Sequence, residues 1–471
     1  MKALALILLL GSLLPLQVAA ADGSGRPWSV LENSALPEIH VPPIERQALK
    51  NGIQLLLLED RELPVVRGYL YWRVGGIYEP ADKLGLAEMT GELLREGGTA
   101  KRKPEDFDAE LAAVGADIES DIGREFGLIS FRCLKEDLPK VLGLIFEMLR
   151  EPAFEAKKLE LVRTRMLEAL RRQNDDPAKL AMREFPKLIY GPDTVWSRTA
   201  TPETLKSLTR EDVVAFYQRF FFPDRVILAL AGDFSPKQAV GLVEKHSHGL
   251  AKSDQALPEI PKLSKTWQPG LTLIPKATDQ ATLLLGHYGD QRFNPDKFAL
   301  LLLNDILGGE ALVSRLGKRI RSTLGLVYGI YSRFGLESDL GVFMVMAQTK
   351  GPSTRQVLAE TRRILEEIRR PGSVSEAELA FYKQSLLNSL YSEYEPRYNF
   401  AKDEARFAYF GYPPNYLELF RENIEKVTLA DIHRVAEKYL KPEALQVLVV
   451  GDPKQVGPLP GAKVMQIPPP L

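Results

Sequence analysis

The sequence predicts an α+β protein of two homologous domains, each a mainly antiparallel sheet packed with helices, and three observations carry that prediction. A pattern recurs at one fixed offset: Thr209-Arg-Glu-Asp212, Pro223 and Gly232-Asp233 match Thr428-Leu-Ala-Asp431, Pro442 and Gly451-Asp452. Position 428 lies 219 beyond 209, as 442 does beyond 223, 451 beyond 232, and Pro371 beyond Pro152. Such internal repetition takes precedence over any count based on length. The first half opens on two β-rich runs and then turns to helical periodicity. A breaker-rich stretch from Gly249 to Gly270, with Pro258, Pro261 and Pro269, separates the halves.

At roughly 100–200 residues per domain, a chain of 471 would hold about three domains. The repeat reduces that to two. With 45% hydrophobic and 26% charged residues, and 61 basic against 62 acidic side chains, the composition is that of an ordinary globular protein. The formal charge of −1, with no basic tract, argues against nucleic acid as a partner. Cys133 is the single cysteine, which excludes an intramolecular disulfide framework and a Cys-based metal site. The histidines are His40, His246, His248, His287 and His433, and no two stand four residues apart as a helical zinc site requires. The sequence therefore assigns no metal to this chain.

Taken in order, residues 1–20 read as a cleaved export signal. Lys2 supplies a charge, Ala3 to Leu16 an apolar run too short to span a bilayer, and Val18-Ala19-Ala20 a small-residue cleavage site. No later apolar run is long enough to span, so no membrane span is expected after signal removal, and the product is periplasmic or secreted. Residues 21–45 form a polar, Pro-rich lead-in. The first domain, 46–248, begins with strands at Ile53–Leu58 and Val65–Val74 around a turn at Asp60-Arg61-Glu62. Leu86, Met89, Leu93 and Leu94 then share one helix face. Strands follow from Ile118 to Cys133, and helices over Leu138–Leu149 and Lys157–Arg172. Thr209 and Asp212 have capping-box spacing at the head of a further helix, with a strand at Val226–Ala231 after it. Residues 249–270 are the linker, 271–460 the second domain, with its strand at Leu445–Val450, and 461–471 a tail.

Three clusters then stand out: Gly76-Ile-Tyr-Glu79-Pro80, Gly85-Leu86-Ala87-Glu88-Met89-Thr90-Gly91-Glu92, and Glu96-Gly97-Gly98-Thr99. Together they resemble the first-domain signature of the pitrilysin/insulinase-type zinc peptidases, which include the mitochondrial processing peptidases. In that family this helix carries H-x-x-E-H, two imidazoles on one face holding Zn²⁺ and a Glu activating the bound water. Here the two ligand positions are Glu88 and Glu92, and the base position is Gly91. The family's third ligand, a Glu some seventy residues on, falls in the neighbourhood of Glu160 and Glu168, and the sequence does not choose between them. Glu88, Glu92 and Glu96, spaced by four, read as a charged helix stripe.

The second half keeps what the first has lost. Ile306-Leu307-Gly308-Gly309, Ser314-Arg315-Leu316 and Arg321-Ser-Thr-Leu-Gly325-Leu326-Val327-Tyr328 resemble the family's second-domain signature. The resemblance implies that Arg321 and Tyr328 hold the substrate carbonyl oxygen in the zinc-bearing partner's site. It also gives Gly308 and Gly309 a part in substrate binding. Locally, Arg321 falls in the last turn of a helix that Gly325 stops, and a strand begins at Leu326.

A lost metal motif beside an intact Arg/Tyr pair matches a division of labour known in the family. The resemblance implies a heterodimer: a homologous subunit brings H-x-x-E-H and zinc, and this chain brings Arg321 and Tyr328 and forms half of a clam-shell chamber for extended peptides. Alone, the chain would be inactive. The alternative of another class is a non-enzymatic peptide-binding or structural core-type protein of the same fold.

Overall fold

The computed structural model describes residues 42–263 and 268–468. The signal read at 1–20, most of the lead-in, four linker residues and the end of the tail lie outside the described residues. The first sheet comprises β1 (Glu45–Ala48), β2 (Gln54–Glu59), β3 (Val65–Trp72), β4 (Asp117–Ile122), β5 (Gly127–Leu134) and β6 (Val226–Gly232), in the order β1-β2-β6-β3-β5-β4. In the second half come β7 (Gly270–Pro275), β8 (Gln280–Tyr288), β9 (Asp290–Gln291), β10 (Val327–Phe334), β11 (Leu336–Glu337), β12 (Val342–Lys350), β13 (Gln446–Gly451) and β14 (Lys463–Val464). Its six-stranded sheet runs β10-β12-β8-β13-β7-β14, while β9 and β11 form a small parallel pair.

The repeat is visible in the topology. The order β2-β6-β3-β5-β4 in one sheet answers β7-β13-β8-β12-β10 in the other. β2/β6 and β7/β13 are parallel and the other pairs within these two series antiparallel. Each half adds one strand at the far edge: β1 beside β2, and β14, from the C-terminal tail, beside β7. Both capping boxes form, Thr209 with Asp212 and Thr428 with Asp431, and each satisfies N–H groups that a helix start would leave unpaired. Pro223 and Pro442 each open a single 3₁₀ turn before the strand that follows.

β2 explains why its run is apolar at four successive positions. Leu55 and Leu57 point into a core built with helices Leu86–Glu96, Leu138–Arg150 and Arg210–Phe220. Leu56 and Leu58 point to the opposite face. A strand buried on both faces loses the hydrophobic–polar alternation of a half-buried one.

What covers that opposite face comes from the other half of the chain. Helix Arg397–Phe410 places Phe400, Ala401, Ala405 and Tyr409 against Leu56, Leu58, Tyr69, Tyr71, Ile227 and Ala229 of the first sheet. Reciprocally, helix Pro177–Tyr190 sets Leu180, Ala181, Phe185 and Ile189 against Ile274, Leu284, Met344, Met346 and Leu448 of the second. Pro177 and Pro396, 219 residues apart, stand at the starts of these helices. The two repeats thus exchange equivalent helices across their junction. At about 1.5–3 kcal/mol for each large apolar side chain buried, each exchanged helix contributes substantially to the other repeat's core.

A polar clasp adds to this exchange. In the β4–β5 turn, Glu125 accepts hydrogen bonds from Ser338 and, at 3.4 Å, from Arg292, and its backbone oxygen accepts one from the Tyr409 hydroxyl at 2.5 Å. Arg292 also lies 3.5 Å over the Phe410 ring.

Candidate functional site

The helix that carries Glu88, Gly91 and Glu92 spans Leu86–Glu96. Leu86, Met89, Leu93 and Leu94 bury one side of it. Its start is held by Glu79, whose carboxylate accepts the N–H groups of Gly85 (3.2 Å) and Ala87 (2.6 Å). An acid at the positive end of a helix is favourably placed, yet enclosure outweighs that gain and pushes the Glu79 carboxyl up to about 7, with the two backbone donors and Arg198 opposing the rise.

The outward face carries the acids. Arg165, on helix Ala156–Arg172, donates to Glu92 at 2.5 Å and to Glu96 at 2.9 Å. The residue that faces Glu92 and Glu96 is thus a guanidinium, 73 residues beyond Glu92. The family resemblance implies a carboxylate in this neighbourhood, and the side chain that reaches the helix is instead the arginine between Glu160 and Glu168. Those two glutamates pair with Arg163 and Arg171 instead. Glu88 makes no hydrogen bond or ion pair with a described residue, and its carboxyl is raised by enclosure first and then by Glu92 and Asp121.

Gly91 is pressed against β4. A Cβ built there would lie 2.7 Å from the Ile122 backbone nitrogen and 3.1 Å from the Asp121 carbonyl carbon. The helix therefore rests against β4 at a distance that only glycine permits. Glu88 is unpaired, Glu92 is taken by Arg165, and position 91 has no room for a side chain. Among the described residues, no group of three or more His, Cys, Asp or Glu side chains is placed to hold a metal ion. The residues present do not fit zinc.

In the second domain, Arg321 lies in a helical segment, Gly317–Thr323, whose chain turns through Gly325 at φ +62° into β10. Tyr328, the second residue of β10, sits at a β-bulge: Val327 pairs with Thr349 and Gly329 with Gln348, so Tyr328 is the extra residue. β10 is the edge strand of its sheet. Bulges on edge strands re-aim side chains, and the Tyr328 side chain is 53% exposed. Neither Arg321 nor Tyr328 makes a side-chain hydrogen bond or ion pair with a described residue, and none joins them to the Glu88 helix.

Gly308 is buried, and a Cβ there would stand 2.6 Å from the Ser332 hydroxyl oxygen. Its place is the close seating of the Asp305–Gly309 turn on β10, while Gly309 is exposed. Of the neighbouring motif, Arg315 forms a two-pronged pair with Glu378 (3.0 and 2.7 Å) and Leu316 is fully buried. His287, buried, donates from Nδ1 to the Tyr288 oxygen (2.7 Å) and accepts the Lys441 N–H (3.1 Å), and burial pushes its pKa down to about 4. It is a neutral structural histidine.

Residues 56–203 match the model of the insulinase peptidases, family M16, and residues 207–386 the model described as the peptidase M16 inactive domain. The chain belongs to the insulinase family. Among curated relatives of this family it is 27% identical over 338 residues to an uncharacterised zinc protease of Streptomyces coelicolor, covering 70% of this chain and 72% of that one. It is 25% identical to one of Rickettsia felis, over 83% and 93%. Among solved structures it resembles the peptidase M16 inactive domain from Pseudomonas fluorescens at a TM-score of 0.81 and 25% identity, covering 88% of this chain and all of that one. The periplasmic protease PqqL of Escherichia coli shares the fold at a TM-score of 0.75 and 16% identity, with 96% of this chain matching 49% of that protein.

Proposed function

We propose that this chain is the zinc-free subunit of an exported heterodimeric metallopeptidase that degrades unfolded peptides. The observation that carries the reading is the contrast between the two halves. The first-domain helix is packed and paired through Gly91 and Arg165, while Arg321, in the helical segment before the edge strand, and Tyr328, at its bulge, keep their donors unengaged. A guanidinium stays cationic at any working pH and a phenol gives one directed hydrogen bond. Together they suit the oxygen of a scissile carbonyl as negative charge develops on it. In this reading the seating of Gly308 on Ser332 fixes the strand that presents Tyr328, and Gly309 leaves a backbone segment open to substrate. Peptides bind extended, as a strand added to a sheet edge. Zinc belongs to the partner, a homologous subunit with H-x-x-E-H. Export rests on residues 1–20, and among the described residues no helix is long and apolar enough to cross a membrane.

Co-expression with the H-x-x-E-H homologue of the same organism tests this. The expected result is a stoichiometric complex in which dialysed zinc follows the partner. One zinc per chain retained by this protein alone would overturn the reading. Failure to form a complex would favour the peptide-binding or structural alternative, which the packed and paired first-domain helix by itself also fits.

A further inference from the structure

Away from the two segments described above, Lys297 is a cation set among aromatic rings. It opens the helix Lys297–Asn304, and its Nζ donates hydrogen bonds to the hydroxyls of Tyr412, at 2.9 Å, and of Tyr416. The same nitrogen lies 4.5 and 4.8 Å from the centres of those two rings. The rings stand 4.3 Å apart, Phe407 packs edge-on against both, and Phe293 leans on Tyr412 at 4.9 Å. Lys297 and Tyr412 are half-buried and Phe293 is 61% exposed, so this aromatic box is reached from solvent.

No carboxylate of a described residue comes within ion-pair reach of Lys297. The adjacent Asp296 is taken by Arg434, Lys438 and Tyr439. The charges that act on the amine are Arg292 and Arg406, both cations, with Glu125 and Glu337 beside the first and Asp403 beside the second. Aromatic faces favour an ammonium. Enclosure first and the two guanidiniums next outweigh them and push the amine down to about 8. Burial raises both phenols, which therefore stay protonated where the amine has lost its charge. A neutral nucleophilic nitrogen thus lies between two O–H donors in a positive local field. That field opposes an ammonium and favours an anion formed at the same place.

We propose that Lys297 is a carbamylation site, its Nζ taking up carbon dioxide as a carbamate that the Tyr412 and Tyr416 hydroxyls hold. A C–N bond forms between neutral Nζ and the carbon of CO₂, one C=O electron pair moves onto oxygen, and the proton lost from Nζ passes to solvent. The product is an anion where an ammonium stood, in the field of Arg292 and Arg406. The site lies within this chain and requires no partner subunit.

Carbon-13 NMR of the full chain in labelled bicarbonate just above pH 8, where the amine is largely neutral, tests it together with triethyloxonium trapping and peptide mapping. One carbamate per chain is expected on the peptide that contains Lys297. Lys297→Arg, which keeps a cation but forms no carbamate, should remove that signal and leave the one from the chain's amino terminus. Tyr412→Phe and Tyr416→Phe keep the rings and remove one donor each, and each should weaken CO₂ uptake about tenfold. Mapping of the wild type needs no variant, and absence of a carbamate on the Lys297 peptide would overturn the assignment. So would unchanged uptake in both Phe variants, or a Lys297 carbamate no more abundant than that on an exposed lysine such as Lys237.

Discussion

Position 91 decides the character of the first-domain helix. A side chain there would have to displace the β4 backbone, so Gly91→Ala is expected to destabilise the protein by about 1–3 kcal/mol through overpacking, read as a lower Tm. The triple change Glu88→His, Gly91→Glu, Glu92→His should therefore fail to recover a stoichiometric zinc site, as metal analysis after dialysis would show. Arg165 acts more weakly, because its pairs with Glu92 and Glu96 are partly exposed. Arg165→Met should cost no more than about 1 kcal/mol. The acids at 88 and 92 and the glycine at 91 were legible in three letters of sequence. The pairing of Arg165 with Glu92 and Glu96 was not, because contact across two helices separated by some seventy residues leaves no local pattern. Glu79 was visible only as part of a motif, and its role at the helix start depends on where the loop from 79 to 85 returns.

Strands and turns were legible where their patterns are local. The capping boxes, the strands of the first half and the β10 entry follow from spacing and from breakers. The bulge at Tyr328 was not readable, because it is a mismatch of register with β12 and so a property of two strands. Nor was the exchange of helices, since the apolar faces of Pro177–Tyr190 and Arg397–Phe410 say that they pack but not on which sheet. The C-terminal tail likewise hides β14, two residues long and ordered by pairing with β7. At this scale a prediction follows from one donor on the helical segment before β10 and one at the strand's bulge. Within the assembled heterodimer, Arg321→Ala or Tyr328→Phe should lower kcat by about 10²–10³, the effect of removing one oxyanion donor. The Tm of this chain should stay close to wild type, because neither side chain is engaged in its own fold.

At the level of the whole molecule, the helix exchange makes the two repeats one cooperative body despite their separate sheets. A cut within 249–263, with the halves expressed apart, is expected to give two insoluble products, whereas co-expressed halves should reassemble. Acid dependence provides a second check. Glu79 titrates near 7 in the folded protein against an ordinary 4.5. Its raised pKa contributes stability that is full below 4.5 and lost as pH rises through 7. Glu79→Gln should thus gain on the wild type over that window in denaturant titrations. His287 works with the opposite sign: its lowered pKa contributes stability above 6.5 that is lost as pH falls through 4.

The central claim is that this chain completes a site it cannot build alone. The most direct measurement titrates it into a fixed amount of the H-x-x-E-H homologue while following hydrolysis of a quenched unstructured peptide. The account predicts no hydrolysis by this chain alone, a rise that saturates at one chain per partner, and loss of that rise with Arg321→Ala. Full activity of the homologue without this chain, or an equal rise with the variant, would contradict it.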